Sequence, residues 1–279
     1  MEGLIKLLDT RMTTPTPYGW YHLLSILLTI LAAIFLCKSN RFKGKETIQK
    51  TVFIVSIITI LFEVYKQFNF SFSLNNGDVV FDYQWYAFPF QFCSTPMYVG
   101  ALTGLFKNGK IHDMLYAYLA TYAVFAGICV MVYPVTVFVP TIGINIQTMF
   151  NHGSMIVLGA YLLWTGYVNS GWKTVIKALP VFVVAIMLAI VMNEAAFRSG
   201  LLNTNEFNMF FISPYCPPSL PVYSLVQEVL PFPLCLLVYV AVFTLAGGLI
   251  SWIFGGLKRL CHLPHSSFIH DYTCKKNGD

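Results

Sequence analysis

The chain has 279 residues, of which 57% are hydrophobic and only 10% are charged. Soluble domains carry about 25% charged residues, so this composition excludes an ordinary soluble protein and indicates an integral membrane protein. The net charge of +5 is modest and no dense run of Lys and Arg is present, which argues against nucleic-acid binding.

Seven stretches of the chain are long and apolar enough to cross a bilayer, which takes about 20 residues. In chain order they are 18–37, 50–68, 85–106, 113–133, 147–168, 174–194 and 230–255. The sequence therefore predicts an all-α membrane protein, a bundle of about seven transmembrane helices within residues 1–257. A cytoplasmic, flexible tail is predicted at 258–279. The end of the second stretch, the third and the fifth are the least apolar, so we expect them to face the interior of the bundle.

Positive charge predicts how the bundle is oriented in the membrane. In a seven-helix arrangement, 13 of the 17 Lys and Arg fall on one side. The other side carries Lys6, Arg11, Lys66 and Arg198. Because cytoplasmic loops are enriched in Lys and Arg, the N-terminus is predicted outside and the C-terminus in the cytoplasm. The membrane would be the plasma membrane in a bacterium or an endomembrane in a eukaryote.

The seven Cys are scattered through apolar stretches and do not resemble a disulfide framework. The tail carries two Cys and two His, but their spacing is not that of a standard zinc finger. These residues are Cys261, His265, His270 and Cys274. A flexible tail, or a palmitoylated Cys261 beside the membrane, is favoured over a metal site. We therefore predict neither a metal nor a cofactor.

Two residues stand out because they interrupt apolar stretches: Cys93 in PFQFCSTPMYV and His152 in FNHGSMIVLGAYLL. Polar, titratable groups at membrane depth are costly and often functional. A helical rise of about 1.5 Å per residue places Cys93 about 12 Å and His152 about 8 Å below the outer ends of their predicted helices. A thiol beside an imidazole can act as a nucleophile with its base. The simpler alternatives are a packing Cys and a structural His bonded to Gln91 or Asn193.

Other polar residues are predicted at the same outer half of the membrane. Glu63 or Glu194 could orient the imidazole of His152. Lys66 and Arg198 could hold a phosphate or carboxylate, or could simply form ion pairs with these two carboxylates. The predicted supporting residues of the site are Glu63, Lys66, Gln91, Asn151, Asn193, Glu194, Arg198 and Asn208.

The chain resembles the YwaF-like integral membrane family, which includes transmembrane protein 164. FPFQFC at 88–93 is similar to the family's Cys block, and MFNHGSMIVLGAYLL at 149–163 is similar to its His-Gly helix. FEVYKQ resembles the charged end of its second helix. The segment NMFFISPYCPPS, which begins at Asn208, and the following LVQEVLPFPLCLLVYV resemble its closing loop and last helix.

The resemblance implies a lipid acyltransferase in which Cys93 and His152 are catalytic and membrane phospholipids or lysophospholipids are the substrates. More distant relatives hydrolyse lipid esters with a Thr and a His, which keeps hydrolysis as an alternative. Bacterial members often carry His two residues before the Cys, where this chain has Gln91. A non-enzymatic transporter or lipid-binding protein is the other alternative, since a polar cluster inside a membrane can also recognise a ligand.

Overall fold

A computed structural model describes residues 2–75, 78–135, 137–200, 202, 206–217 and 220–260. Within these residues the protein is mostly helical, with one antiparallel hairpin of two strands, β1 and β2. The strands are β1 (Phe72–Asn75) and β2 (Asp78–Phe81), paired from Phe72 opposite Phe81 to Asn75 opposite Asp78. The helices are α1 (Glu2–Leu8), α2 (Trp20–Lys38), α3 (Lys45–Asn69), α4 (Thr95–Leu102), α5 (Gly109–Ala120), α6 (Tyr122–Val132), α7 (Ile142–Thr165), α8 (Trp172–Ser199), α9 (Pro221–Val229) and α10 (Phe232–Leu260).

Five helical segments of the described chain are long and apolar enough to cross a membrane: α2, α3, α5 together with α6, α8 and α10. They coincide with the first, second, fourth, sixth and seventh predicted stretches. Large apolar side chains on their outer faces, such as Leu27 and Leu31 of α2, are exposed, as expected for a surface that contacts lipid. The protein is therefore a multi-pass helical membrane protein, while the count of seven helices and the orientation stay predictions.

The third predicted stretch, 85–106, is not one continuous helix. It begins with a short 3-10 turn at Trp85–Ala87, continues as a loop, and becomes α-helical only at Thr95. Two prolines explain the break. Pro89 cannot donate the backbone hydrogen bond that a helix interior needs, and Pro96 lies in the first turn of α4, where a missing N–H costs little.

α7 is the central helix of the bundle, and it matches the fifth predicted stretch but begins at Ile142, five residues earlier. It contacts α2, α3, α5, α6 and α10, and most of its side chains are buried. Its first half carries the buried polar residues Asn145, Gln147, Asn151 and His152. Because neighbouring helices cover α7, these polar groups face protein rather than lipid, which is where such groups are tolerated.

A small residue allows α6 to lie directly against α7. A Cβ atom added at Gly127 of α6 would be 2.6 Å from the main-chain oxygen of His152. Gly127→Ala is therefore expected to push the two helices apart and to lower the free energy of unfolding by about 1–3 kcal/mol. Thermal unfolding of the purified protein measures this loss. Gly256→Ala is the matched control, because no atom lies within 4 Å of its added Cβ, and an equal loss in both variants would contradict the packing argument.

The last helix, α10, continues to Leu260. Residues 261–279, which make up nearly all of the predicted tail, lie outside the described residues. The two Cys and two His considered above as a zinc site belong to this part of the chain.

Candidate functional site

Cys93 lies in a loop of residues 88–94, here called the Cys93 loop, immediately before α4. Its position differs from the prediction, which placed it about 12 Å inside a helix. Phe92 anchors the loop: its buried ring packs against Phe182, Phe210 and Phe243. Cys93 is half-buried and lies just before the N-terminal end of α4, where the helix dipole favours negative charge.

His152 of α7 is 6% exposed. Within the described residues one of its ring nitrogens has a hydrogen-bond partner and the other has none. Nδ1 lies 2.7 Å from the main-chain oxygen of Thr148, one turn earlier in the helix. Since a carbonyl oxygen can only accept, Nδ1 carries the proton and donates it. Nε2 of the neutral ring is thus an unprotonated acceptor, and it is buried without a hydrogen-bond partner.

The structure brings the segments of Cys93 and His152 together through Asn151. The side-chain amide of Asn151 donates to the main-chain oxygen of Cys93 over 3.2 Å, which ties the Cys93 loop to α7. The thiol itself does not hydrogen-bond to Nε2 of His152. Catalytic hydrogen bonds are often long before substrate binds, so the lack of this bond does not argue against a Cys–His pair.

A buried carboxylate on α3 organises one side of this site. Glu63 has a side chain that is 5% exposed, and it forms an ion pair of 2.8 Å with Lys66, whose side chain is 16% exposed. Its oxygens also accept hydrogen bonds from Gln67 over 2.7 Å and from Gln147 of α7 over 3.0 Å. The pair is therefore part of a buried polar cluster between α3 and α7 rather than a surface ion pair.

The same cluster reaches the hairpin that follows α3. The amide nitrogen of Gln67 bonds both Glu63 and the main-chain oxygen of Ala87, 2.8 Å away, and the Tyr83 hydroxyl donates to its amide oxygen. Burial and the nearby Glu63 carboxylate raise the pKa of Tyr83 to about 12, so its hydroxyl remains protonated and a donor at neutral pH. The segment between β2 and the Cys93 loop is thus fixed to α3.

Three amide side chains of the predicted site bond to the main chain of a loop at residues 206–217, here called the closing loop. They do not bond to the imidazole of His152. Gln91 accepts from the main-chain nitrogen of Phe210 over 2.9 Å and donates to the main-chain oxygen of Asn208 over 3.0 Å. Asn193 of α8 makes a matching pair of bonds, of 2.8 and 3.1 Å, with Met209. Asn208 accepts from the main-chain nitrogen of Ser213 over 2.9 Å. The alternative that His152 bonds to Gln91 or Asn193 is therefore wrong.

Glu194 and Arg198 lie at the end of α8 and pair with each other. Glu194 also accepts from the hydroxyl of Tyr215 in the closing loop. Arg198 is 77% exposed in its side chain. Neither Glu194 nor Glu63 bonds to His152, because the main-chain oxygen of Thr148 already occupies Nδ1. The expectation that one of these carboxylates orients the imidazole is thus wrong for the described structure.

A small cavity lies beside Asn151, between α3, α4 and α7. Its polar lining comes from Ser56 and Thr59 of α3 and from Asn151 and Ser154 of α7. The cavity has a volume of about 10 Å³ for the centre of a water molecule, so it has room for roughly one water.

Sequence reasoning missed Thr148, Gln147 and Gln67, which connect the predicted residues to each other. A signal was present in their spacing. Thr148 is four residues before His152, Gln147 is four before Asn151, and Gln67 is four after Glu63. Residues at this separation share one helix face, so each could have been placed beside its partner once the helices were assigned.

Comparison with known proteins identifies the family. No curated protein and no solved structure matches the chain significantly. The pattern of the TMEM164 family matches residues 14–251, which include the whole of the site described above and, apart from the end of α10, the five spanning segments. The chain therefore belongs to the TMEM164 family.

Proposed function

We propose that the protein is a membrane-embedded lipid acyltransferase that carries the acyl group on Cys93 and uses His152 as its general base. The observation that carries this proposal is the state of the His152 ring. Its Nδ1 proton is held by the main-chain oxygen of Thr148, and its buried Nε2 is left free to accept a proton. A base of this kind beside a Cys is the arrangement that activates a thiol nucleophile.

The first half of the reaction forms a thioester. Nε2 of His152 takes the proton of the Cys93 thiol, and the sulfur attacks the ester carbonyl carbon of a donor lipid. The ester C–O bond breaks, and the departing lipid oxygen takes the proton from the imidazolium. The positive end of the α4 dipole stabilises the thiolate during this step.

The second half returns the enzyme to its starting state. The hydroxyl of an acceptor lipid attacks the thioester carbonyl while Nε2 takes its proton. The C–S bond breaks as the new ester forms, and the thiolate of Cys93 recovers the proton from the imidazolium. If water attacks instead, the same residues release a fatty acid, and the protein is a lipid ester hydrolase.

Charged residues support a lipid substrate rather than a soluble one. Lys66 is 16% exposed and already balanced by Glu63, so it can attract a lipid phosphate without becoming an isolated buried charge. Membrane lipids enter sideways from the leaflet that contains the site. By the distribution of Lys and Arg this is the outer leaflet of a seven-helix bundle, with the N-terminus outside and the C-terminus in the cytoplasm.

A transporter explains the site less well than an enzyme does. A transport path needs polar groups on both sides of the binding site. On the buried face of α3, the residue one turn before Ser56 is Val52, which is 0% exposed. This apolar side chain interrupts the polar lining formed by Ser56 and Thr59.

The test is detection of the acyl-enzyme. Purified protein in vesicles that contain diacyl phospholipid should gain the mass of one acyl chain on Cys93, and hydroxylamine should remove it. The matched control is Cys129→Ala, because Cys129 is an exposed thiol of the same bundle and its loss should leave the adduct unchanged. Absence of an adduct on Cys93, or an equal adduct on Cys129, would overturn the proposal.

A further inference from the structure

α9 is a short amphipathic helix that leads into α10. On one side it exposes Leu225 and Val229, which are 64% and 79% exposed. The opposite side carries Tyr223, which is 6% exposed, and Gln227 one turn later. An apolar outer face at the end of a spanning helix places α9 at the membrane surface, with its polar pair facing the protein.

Both members of this pair have a buried polar atom without a partner. The hydroxyl of Tyr223 and the side-chain oxygen of Gln227 are closed off from solvent, and neither forms a hydrogen bond within the described chain. Residues four apart on a helix stand side by side, about 5–6 Å between Cβ atoms. Buried polar atoms are rarely left unpaired, so two neighbours in this state point to a group supplied by a ligand.

The chemistry of the two atoms selects that group. The Gln227 oxygen can only accept a hydrogen bond, whereas the Tyr223 hydroxyl can donate one. Burial raises the pKa of Tyr223 to about 12, so the hydroxyl keeps its proton at neutral pH. A phosphate or an ester carbonyl only accepts and would leave Gln227 unpaired. An alcohol satisfies both atoms, because its hydroxyl donates a hydrogen bond to the Gln227 oxygen and accepts one from the Tyr223 hydroxyl.

The pair is connected to the Cys93 loop by one aromatic side chain and one turn. The ring of Tyr223 packs edge-on against Tyr239, with centroids 5.3 Å apart. The Tyr239 hydroxyl donates to the main-chain oxygen of Phe210 over 3.1 Å. The main-chain nitrogen of Phe210 in turn donates to Gln91, two residues before Cys93.

We infer that Tyr223 and Gln227 form a binding site for the free hydroxyl of a membrane lipid. The inference goes beyond the proposed function and does not rest on it, because a hydroxyl that donates its proton to Gln227 is not the one that His152 deprotonates. The lipid chain contacts the apolar outer face of α9, and the polar inner face binds the hydroxyl.

The experiment measures binding in the absence of reaction. Full-length Cys93→Ala protein in nanodiscs is titrated with a fluorescent single-chain glycerophospholipid that has one free glycerol hydroxyl, and with its deoxy analogue. Two intramembrane hydrogen bonds should make the hydroxyl lipid bind about tenfold more tightly. Adding Tyr223→Phe or Gln227→Leu should remove most of this preference. Adding Glu228→Gln should keep it, because Glu228 is an exposed residue of α9 outside both the polar pair and the apolar face.

Stability separates ligand binding from a structural role. Neither polar atom has a partner among the residues that the structure describes, so Tyr223→Phe should unfold at the same temperature as its parent or higher. Equal binding of the two lipids, as expected if water alone satisfies the pair, would overturn the inference. A destabilised Tyr223→Phe protein with an unchanged lipid preference would also overturn it.

The two proposals fail separately. A hydroxyl preference in Cys93→Ala protein, combined with no acyl adduct on Cys93 in the unmodified protein, would support the lipid-hydroxyl site and reject the acyltransferase. An adduct on Cys93 without any hydroxyl preference would reject the lipid-hydroxyl site and support the enzyme.

Discussion

His152→Gln is expected to lower the rate of acyl transfer by about 10²- to 10⁴-fold, the usual contribution of a general base, while the protein stays folded. The Gln amide can still donate to the main-chain oxygen of Thr148, which preserves the bond that His152 makes within α7. It cannot accept the proton of a thiol. Transfer of a labelled acyl chain between lipids in vesicles measures the rate, and thermal unfolding measures the stability.

His22 is the matched control, because it is a buried His of the neighbouring α2 with both ring nitrogens bonded. Its Nδ1 accepts from the main-chain nitrogen of Tyr18 over 3.0 Å, and its Nε2 donates to the main-chain oxygen of Met131 over 3.1 Å. His22→Gln should cost about 1–3 kcal/mol of stability and leave the activity per folded molecule unchanged. The role of His152 as a base is refuted if its Gln variant retains transfer, or if it loses stability and activity in the same proportion as the His22 variant.

Glu63→Ala should be the most destabilising single substitution in the site, with a loss of about 3–5 kcal/mol in the free energy of unfolding. The change would leave Lys66 as an uncompensated charge that is 16% exposed. It would also remove an acceptor from both Gln67 and Gln147. Thermal unfolding in detergent, followed by the accessibility of buried thiols, reports the loss.

Two variants distinguish the charge of Glu63 from its shape. Glu63→Gln keeps the size and accepting oxygen but leaves the Lys66 charge unbalanced, so it should recover only part of the loss. The double variant Glu63→Leu with Lys66→Met removes both charges and should recover most of it, since a buried ion pair adds little over apolar packing. If the double variant is as unstable as Glu63→Ala, the unpaired charge is not the cause.

Composition and hydropathy were enough to predict the five helices that are apolar enough to span a membrane, because their length and apolar character are set by the bilayer rather than by their neighbours. The third stretch failed for a local reason: Pro89 and Pro96 stop a helix that hydropathy alone would continue. Pro89 by itself already indicates an unusual helix start near Cys93, and α4 begins two residues after it, at Thr95.

The sequence indicated that the segments of Cys93 and Asn151 meet, and the Asn151 amide bonds to the main-chain oxygen of Cys93. The catalytic roles of Cys93 and His152 stay predictions. The hydrogen-bond partner of His152 could not be predicted. It is a main-chain oxygen one turn away, which competes with any distant carboxylate and which no particular side chain in the sequence indicates. The bonds of Gln91 and Asn193 also depend on the path of the closing loop, where Phe210 has a positive φ of 58° that hydropathy does not predict.

The central position of α7 has a consequence for how the protein is made. The helix is 24 residues long, yet it is not among the segments apolar enough to cross a membrane by their own composition. Its amides and imidazole are covered by α2, α3 and α6, and an isolated α7 would expose them to lipid. Insertion of α7 is therefore expected to wait for the helices synthesised before it. Changes in α2 or α6 that weaken their contact with α7 would then act during biogenesis, as lost protein in the membrane rather than as lost turnover.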